Sequence, residues 1–202
     1  MIGAVTPKGS NGHEFILVAI DYFTKWVEAQ SYAVLKASHV AKFIRNNIIC
    51  RYGVPNEVIS DNGFYFKKEV VDLLEIYNVA FHKSSTYWPQ TNGAVKAANK
   101  NINRILQKMV ETYRDWPEKL PFALWGYRTS IRTSTGATPY SLVSGMEAVL
   151  PIEIEIPSLR VLAECQIAEA DLQQRMFEEL ILFDERRLKA LYHVQGYQRR
   201  IA

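Results

Sequence analysis

No apolar run in the 202 residues approaches the roughly 18–20 that a membrane-crossing helix needs. Cysteine is nearly absent. Cys50 and Cys165 are too few and too far apart for a disulfide framework or a cysteine-rich zinc cluster, so a reducing, intracellular setting is expected. The opening MIGAVTPKGSNGHEF lacks the basic stretch and apolar stretch of a secretion signal. The chain also has no P-loop, no dinucleotide fingerprint and no Gly-x-Ser-x-Gly elbow, which removes the usual nucleotide-binding and serine-hydrolase readings. His13, His39, His82 and His193 are scattered, without the clustered partners of a metal site. Neither charge sign dominates. A net charge of +3 permits an anionic partner without demanding one.

What is present is an ordinary globular composition, 48% hydrophobic and 22% charged, with no internal repeat or low-complexity segment. After the turn cluster KGSNG, the run EFILVAID is short enough to be a buried strand, and WVEAQSY supplies its hairpin neighbour. ASHVAKFIRNNIICRYG reads as a helix burying Val40, Phe43, Ile44 and Ile48, with Ser38 as N-cap and Gly53 as stop. NEVIS and VAFHKSS read as further strands, with the helix KKEVVDLLEIYN between them. A helix from about Asn92 to Tyr113 comes next, with an apolar stripe of Val95, Ala98, Ile102, Ile105, Met109 and Val110. WPEKLPFALWGYRTSIRT supplies another, with Pro117 in its first turn. The order strand–strand–helix–strand–helix–strand–helix predicts an α/β domain over residues 1–150. LPIEIEIPS reads as an extended linker at 151–158. Residues 159–202 form a long terminal helix and tail, with Leu172, Met176, Leu180 and Phe183 on one face and Gly196 as its stop.

Few residues suggest chemistry. Asp61, in VISDNGFYF, either suits a Ser-Asp-Asn-Gly turn or offers a magnesium ligand at the C-terminal end of a strand. Asp21 ends the first strand and reads as a polar strand terminus beside Tyr22 and Thr24. Lys96, Lys100, Arg104 and Lys108 recur every four residues. That row is either a solvated helix face or a ladder of cations about 6 Å apart, suited to phosphates.

The segments ILVAIDYFTKWVEA, YGVPNEVISDNG, SSTYWPQTNGAVKAANK and ALWGYRTSIRTSTGATPYSLVSGMEAVLP resemble the integrase core of gypsy-type long-terminal-repeat retrotransposon polyproteins. The resemblance runs from about Ile2 to Arg200. It implies a ribonuclease H-like fold, a mixed five-stranded sheet flanked by helices. It implies a magnesium-dependent polynucleotidyl transfer in which three carboxylates hold two ions and a water or a DNA 3′-hydroxyl attacks a phosphodiester. DNA becomes the implied partner, a homodimer through the core is implied as well, and the implied location is nuclear.

Carried over residue by residue, Asp61 matches the family's second acid. Lys96 stands where the family has its third, a glutamate in a Pro-Gln-x-x-Gly-x-x-Glu pattern. The first acid belongs to an opening strand just before the position of Met1, so that strand is expected to be truncated. Phe64, Thr86 and Trp88 also depart from the pattern. The DNA-facing set comprises Gln90 and Asn92, in the loop before the helix, together with Lys96, Lys100, Arg104 and Lys108. The expectation is a fragment of an integrase core with a degenerate metal site. Two alternatives stay open: an active transferase using substitute acids, and a non-enzymatic DNA-binding or dimerisation module.

Overall fold

The computed structural model describes Val5 and residues 7–61, 63, 65–66, 68–83, 93–109, 114–149 and 169–201. These divide into two compact units, one of Met1–Ile20 with Val27–Tyr127 and one of Asp21–Trp26 with Arg128–Ala202. Among the described residues no helix is long and apolar enough to cross a membrane.

The first unit is organised by β1 (Phe15–Ile20), whose sequence FILVAI is apolar throughout. Successive side chains of a strand point to opposite faces, so β1 feeds two cores. Ile16 and Val18 join Val27 against Ala98, Ile102 and Leu106, and against Trp116, Leu120 and Leu124. Leu17, flanked by the partly buried Phe15 and Ala19, joins the other cluster with Val40, Phe43, Ile44, Val70, Leu73 and Leu74. Fully burying one such side chain stabilises by about 1.5–3 kcal/mol.

β1 pairs antiparallel with β2 (Val27–Tyr32), from Phe15 opposite Tyr32 to Ile20 opposite Val27. β3 (Glu57–Ser60) and β4 (Ala80–Lys83) pair in parallel, joined by the crossover helix α2 (Lys68–Ile76). The described residues thus carry four strands in two separate pairs, rather than the five-stranded sheet that the resemblance implies.

Between β2 and β3, α1 (Ala37–Phe43) runs on through a π-helical stretch, Ile44–Ile49, and a last turn, Cys50–Tyr52. Gly53, at φ 89°, ends it as expected. Two details differ from the sequence reading. The cap is Lys36, whose carbonyl accepts from the amides of His39 and Val40, so Ser38 already lies inside the first turn. Ile49 is buried in addition, while Ile48 is half-buried against the same cluster, because i→i+5 bonding winds fewer turns and widens the inner face. Beyond the π stretch, the Tyr52 hydroxyl donates to the buried Glu28 at 2.5 Å, and Arg51 lies 3.6 Å from its other oxygen. The helix end is thereby tied to β2, and a carboxylate that would be costly to bury alone has partners.

α3 (Gly93–Met109) and α4 (Trp116–Arg128) complete the unit. Pro117 occupies the first turn of α4, where its missing N–H costs nothing.

In the second unit, the segment RTSTGATPYSLVSG is knotted by local hydrogen bonds. The buried Thr135 hydroxyl donates to the Arg132 and Ala137 carbonyls. Thr138 caps α5 (Pro139–Ser144) by accepting from the Ser141 amide at 3.1 Å. The terminal helix, α6 (Glu169–Ile201), packs here: a Cβ on Gly136 would sit 3.1 Å from the His193 ring, and the residue already has φ +67°. Only glycine meets both demands cheaply. α6 runs straight through Gly196, against the expected stop. An interior glycine costs only about 1 kcal/mol relative to alanine, and helix-forming residues flank it on both sides. The linker 151–158, Val110, and the side chains of Leu172, Met176 and Leu180 lie outside the description, whereas Phe183 is half-buried.

Ile102→Ala is expected to lower stability by about 2–5 kcal/mol through a cavity in the first core. Gly136→Ala should cost about 1–3 kcal/mol through backbone strain and crowding. Denaturant titration of each variant measures both.

Candidate nucleic-acid interface

α3 owes its orientation to one apolar face. Ala98, Ile102 and Leu106 are buried, with Ile105 and Met109 packed partly against the same cluster. That anchoring leaves Lys96, Lys100, Arg104 and Lys108 exposed. Four residues of α-helix advance about 6 Å and rotate about 400°, so the row climbs about 18 Å and winds about a third of a turn. Among the described residues none of the four takes part in an ion pair. A cationic ridge with no internal counter-charge holds its counter-ions from solution, and a polyanion can replace them. Lys96 lies in the first turn, near the N-terminal and partly positive end of the helix dipole, where a carboxylate would be favoured over an ammonium.

Asp61 comes directly after β3 and is exposed. One of its carboxylate oxygens accepts from the Gly63 amide at 3.2 Å, closing an Asx-type turn. Gly63 is the residue that allows this closure, since a Cβ there would come within 2.9 Å of the same oxygen. Behind it, the buried Ser60 hydroxyl donates to the Asp61 carbonyl at 2.9 Å. The side chain is therefore held by one oxygen, and the other makes no hydrogen bond to a described residue.

Asp21, in the second unit, is more fully occupied. Its Oδ1 accepts from both the amide and the hydroxyl of Thr24, at 2.7 and 2.5 Å, and its carbonyl accepts from the Lys25 amide. Lys25 sits at φ 61° with its ammonium over the Tyr22 ring. Burial lowers its pKa from the ordinary lysine value, with the Asp21 carboxylate pulling the other way. Asp21 thus builds the turn between β1 and β2. Each histidine has a local partner: Ser31 for His13, the Val34 carbonyl for His39, Glu57 for His82 and the Ser134 carbonyl for His193.

Gln90 and Asn92, together with Phe64, Thr86 and Trp88, lie outside the described residues. Among the described residues no three His, Cys, Asp or Glu side chains are grouped to hold a metal ion. Among the described residues Asp61 stands without a second grouped carboxylate, and one carboxylate is not a donor set that fits a magnesium ion, which takes hard oxygen ligands in near-octahedral array. No chemical step is derived through one.

The Ser-Asp-Asn-Gly turn read at Asp61 is present, closed by the Gly63 amide, and only the Ser60 hydroxyl bond behind it was missed by sequence reasoning. The Asp-x-Gly spacing was the signal for the turn, since an Asx turn needs an acceptor side chain and, two residues later, an unobstructed amide.

No family model matches the chain. The Gag-Pol polyprotein of avian reticuloendotheliosis virus is 33% identical over 145 residues, which is 71% of this chain and 12% of that polyprotein. The Gag-Pol polyprotein of koala retrovirus is 35% identical over 140 residues, 68% of this chain and 8% of its own length. The chain therefore spans only a small part of these relatives. The catalytic core domain of BIV integrase superposes with a TM-score of 0.52 at 28% identity, covering 64% of this chain and 84% of that domain. At lower identity, the likeness extends to the fold of the HTLV-2 integrase catalytic core, solved in complex with magnesium in a trimeric form. It has a TM-score of 0.54 at 18% identity and covers 67% of this chain and 88% of that one.

Asp21→Ala should cost about 1–2 kcal/mol by removing two hydrogen bonds from a turn. Asp61→Asn keeps the acceptor oxygen and should change stability by less than about 0.5 kcal/mol. Thermal melts compare the two, and equal losses would contradict the difference in anchoring.

Proposed function

The chain carries an integrase-like catalytic core, and from that premise we propose that it is the core of a gypsy-type retrotransposon integrase that binds DNA and has a degenerate metal site. The observation that carries this reading is Lys96. It is exposed in the first turn of α3, at the position where the resemblance puts a glutamate, and without an ion-pair partner among the described residues. Two unit charges of like sign 4 Å apart repel by about 1 kcal/mol in water-like surroundings and about 4 at an effective dielectric of 20. A lysine there both removes a ligand and opposes a cation. The reading extends to location: the protein acts in the nucleus.

The same lysine suits the other half of the reading. With Lys100, Arg104 and Lys108 it makes a ridge of four cations, and the resemblance adds Gln90 and Asn92 to the DNA-binding set. Magnesium, present in the HTLV-2 core, is the ion a restored site would take, and its role there would be to polarise a phosphodiester and activate the attacking oxygen. Assembly into oligomers, as in that trimeric form, also belongs to this reading.

An active transferase with substitute acids is the alternative. Asp21 speaks against it, because its Oδ1 already holds the Thr24 turn.

Two experiments test the proposal. Duplex DNA affinity is expected to fall steeply with salt, each engaged cation adding about 0.9 to the log–log slope. Replacing all four cations by glutamine should flatten that slope. An unchanged slope would return the row to a solvated face.

For the metal site, the unmodified chain is expected to show no magnesium-dependent nicking or end joining. Lys96→Glu should improve manganese binding, and that gain should vanish on Asp61→Asn. Robust cleavage by the unmodified chain would favour the alternative.

A further inference from the structure

α6 presents two opposite apolar faces. At about 100° of rotation per residue, Phe183, Ala190, Val194 and Tyr197 share one strip about 60° wide, and they are buried or half-buried. Phe177, Ile181, Leu188 and Tyr192 share another strip about 60° wide, roughly opposite, with exposures of 66%, 50%, 50% and 62%. Single exposed apolar residues are ordinary on a protein surface. Four aligned on one face of a helix whose other face is already satisfied mark an interaction surface.

Charge decides what kind of partner fits. Glu185 and Lys189 lie along the same flank of the exposed strip, four residues apart, and neither takes part in an ion pair among the described residues. A two-fold axis at the level of Arg187 makes an antiparallel copy of the helix self-complementary. Residue i then stands level with residue 374 − i, and each flank faces the same flank of its mate. Glu185 meets Lys189 of the second copy, and Lys189 meets Glu185, so both pairs form at once. On the strip itself, Ile181 falls within about one residue's rise of Tyr192 of the second copy, and Leu188 within about two of Leu188. Asp184 interrupts the strip on the flank away from Glu185 and Lys189, which limits its continuous apolar length. An isologous contact of this kind needs the same patch on both subunits.

We infer that the outer face of α6 is a homodimerisation surface, in which two copies of the helix pair antiparallel about Arg187 through Phe177, Ile181, Leu188 and Tyr192, with reciprocal Glu185–Lys189 ion pairs. This inference does not depend on the nucleic-acid reading, because none of these residues belongs to the cationic row on α3.

Sedimentation velocity on the full chain at low salt, over a concentration series into the range of about 100 μM, tests it. The unmodified chain is expected to show a reversible monomer–dimer equilibrium. Glu185→Lys and Lys189→Glu should each weaken dimerisation by roughly tenfold, since each places two like-charged pairs across the two-fold. An equimolar mixture of the two variants should recover association as a heterodimer, and the double variant should recover the homodimer. Leu188→Glu should abolish pairing while leaving helicity by circular dichroism unchanged. Absence of self-association throughout the range, or a dimer indifferent to all the charge variants, would overturn the inference. The latter result would place the contact on another surface of the chain.

Discussion

Burial of β1 on both faces is the constraint that organises the first unit. A strand with six consecutive apolar residues cannot leave either side to water without exposing large hydrophobic area. Ile16 and Val18 therefore recruit α3 and α4, while Leu17 recruits α1 and α2. The consequence for the candidate site is direct. α3 is clamped by Ala98, Ile102 and Leu106, which settles which of its residues face water. The cations at Lys96, Lys100, Arg104 and Lys108 are exposed because the opposite side is committed to β1's first core.

Local turn chemistry then separates two aspartates that look alike in sequence, each ending an apolar strand. Asp21 has one oxygen shared between two donors from Thr24, and its neighbour Lys25 adopts a left-handed conformation, so the carboxylate is fixed within the hairpin turn. Asp61 is held by one amide, at 3.2 Å, behind a glycine that clears the space. Among the described residues both aspartates therefore take their bonds on a single oxygen, Asp21 from two donors and Asp61 from one. The difference lies in the residues just after each aspartate: Tyr-Phe-Thr in one case, Asn-Gly in the other.

The second unit uses small residues for a related purpose. Gly136 and Gly145 let His193 and Phe183 of α6 approach the RTSTGATPYSLVSG segment closely, and Arg186 donates to the Gly145 carbonyl at 2.6 Å. Seating one face of a helix of 33 residues in this way leaves the opposite face with its apolar residues toward solvent. A helix that long would extend about 50 Å, more than a segment of this size can cover by itself.

The sequence by itself determined the elements, because alternation and helical periodicity are local properties. The order of strands and helices, the inward residues Val40, Phe43, Ala98 and Ile102, and the stop at Gly53 were all legible there. So was the position of Lys96 within a long motif, which needs only linear order. The tertiary structure alone decided what depends on groups distant in the chain or on the geometry of a turn. The π-helical stretch brought Ile49 into the core beside the half-buried Ile48, because bonding pattern rather than residue type sets the winding there. α6 continued through Gly196 because a propensity cost of about 1 kcal/mol cannot end a helix whose flanks favour it. The β1–β2 hairpin was legible because the two strands adjoin in sequence, whereas the parallel pairing of β3 with β4 across a helix depends on which edges meet. How many donors reach each carboxylate was also decided in three dimensions, two at Asp21 and one at Asp61 among the described residues.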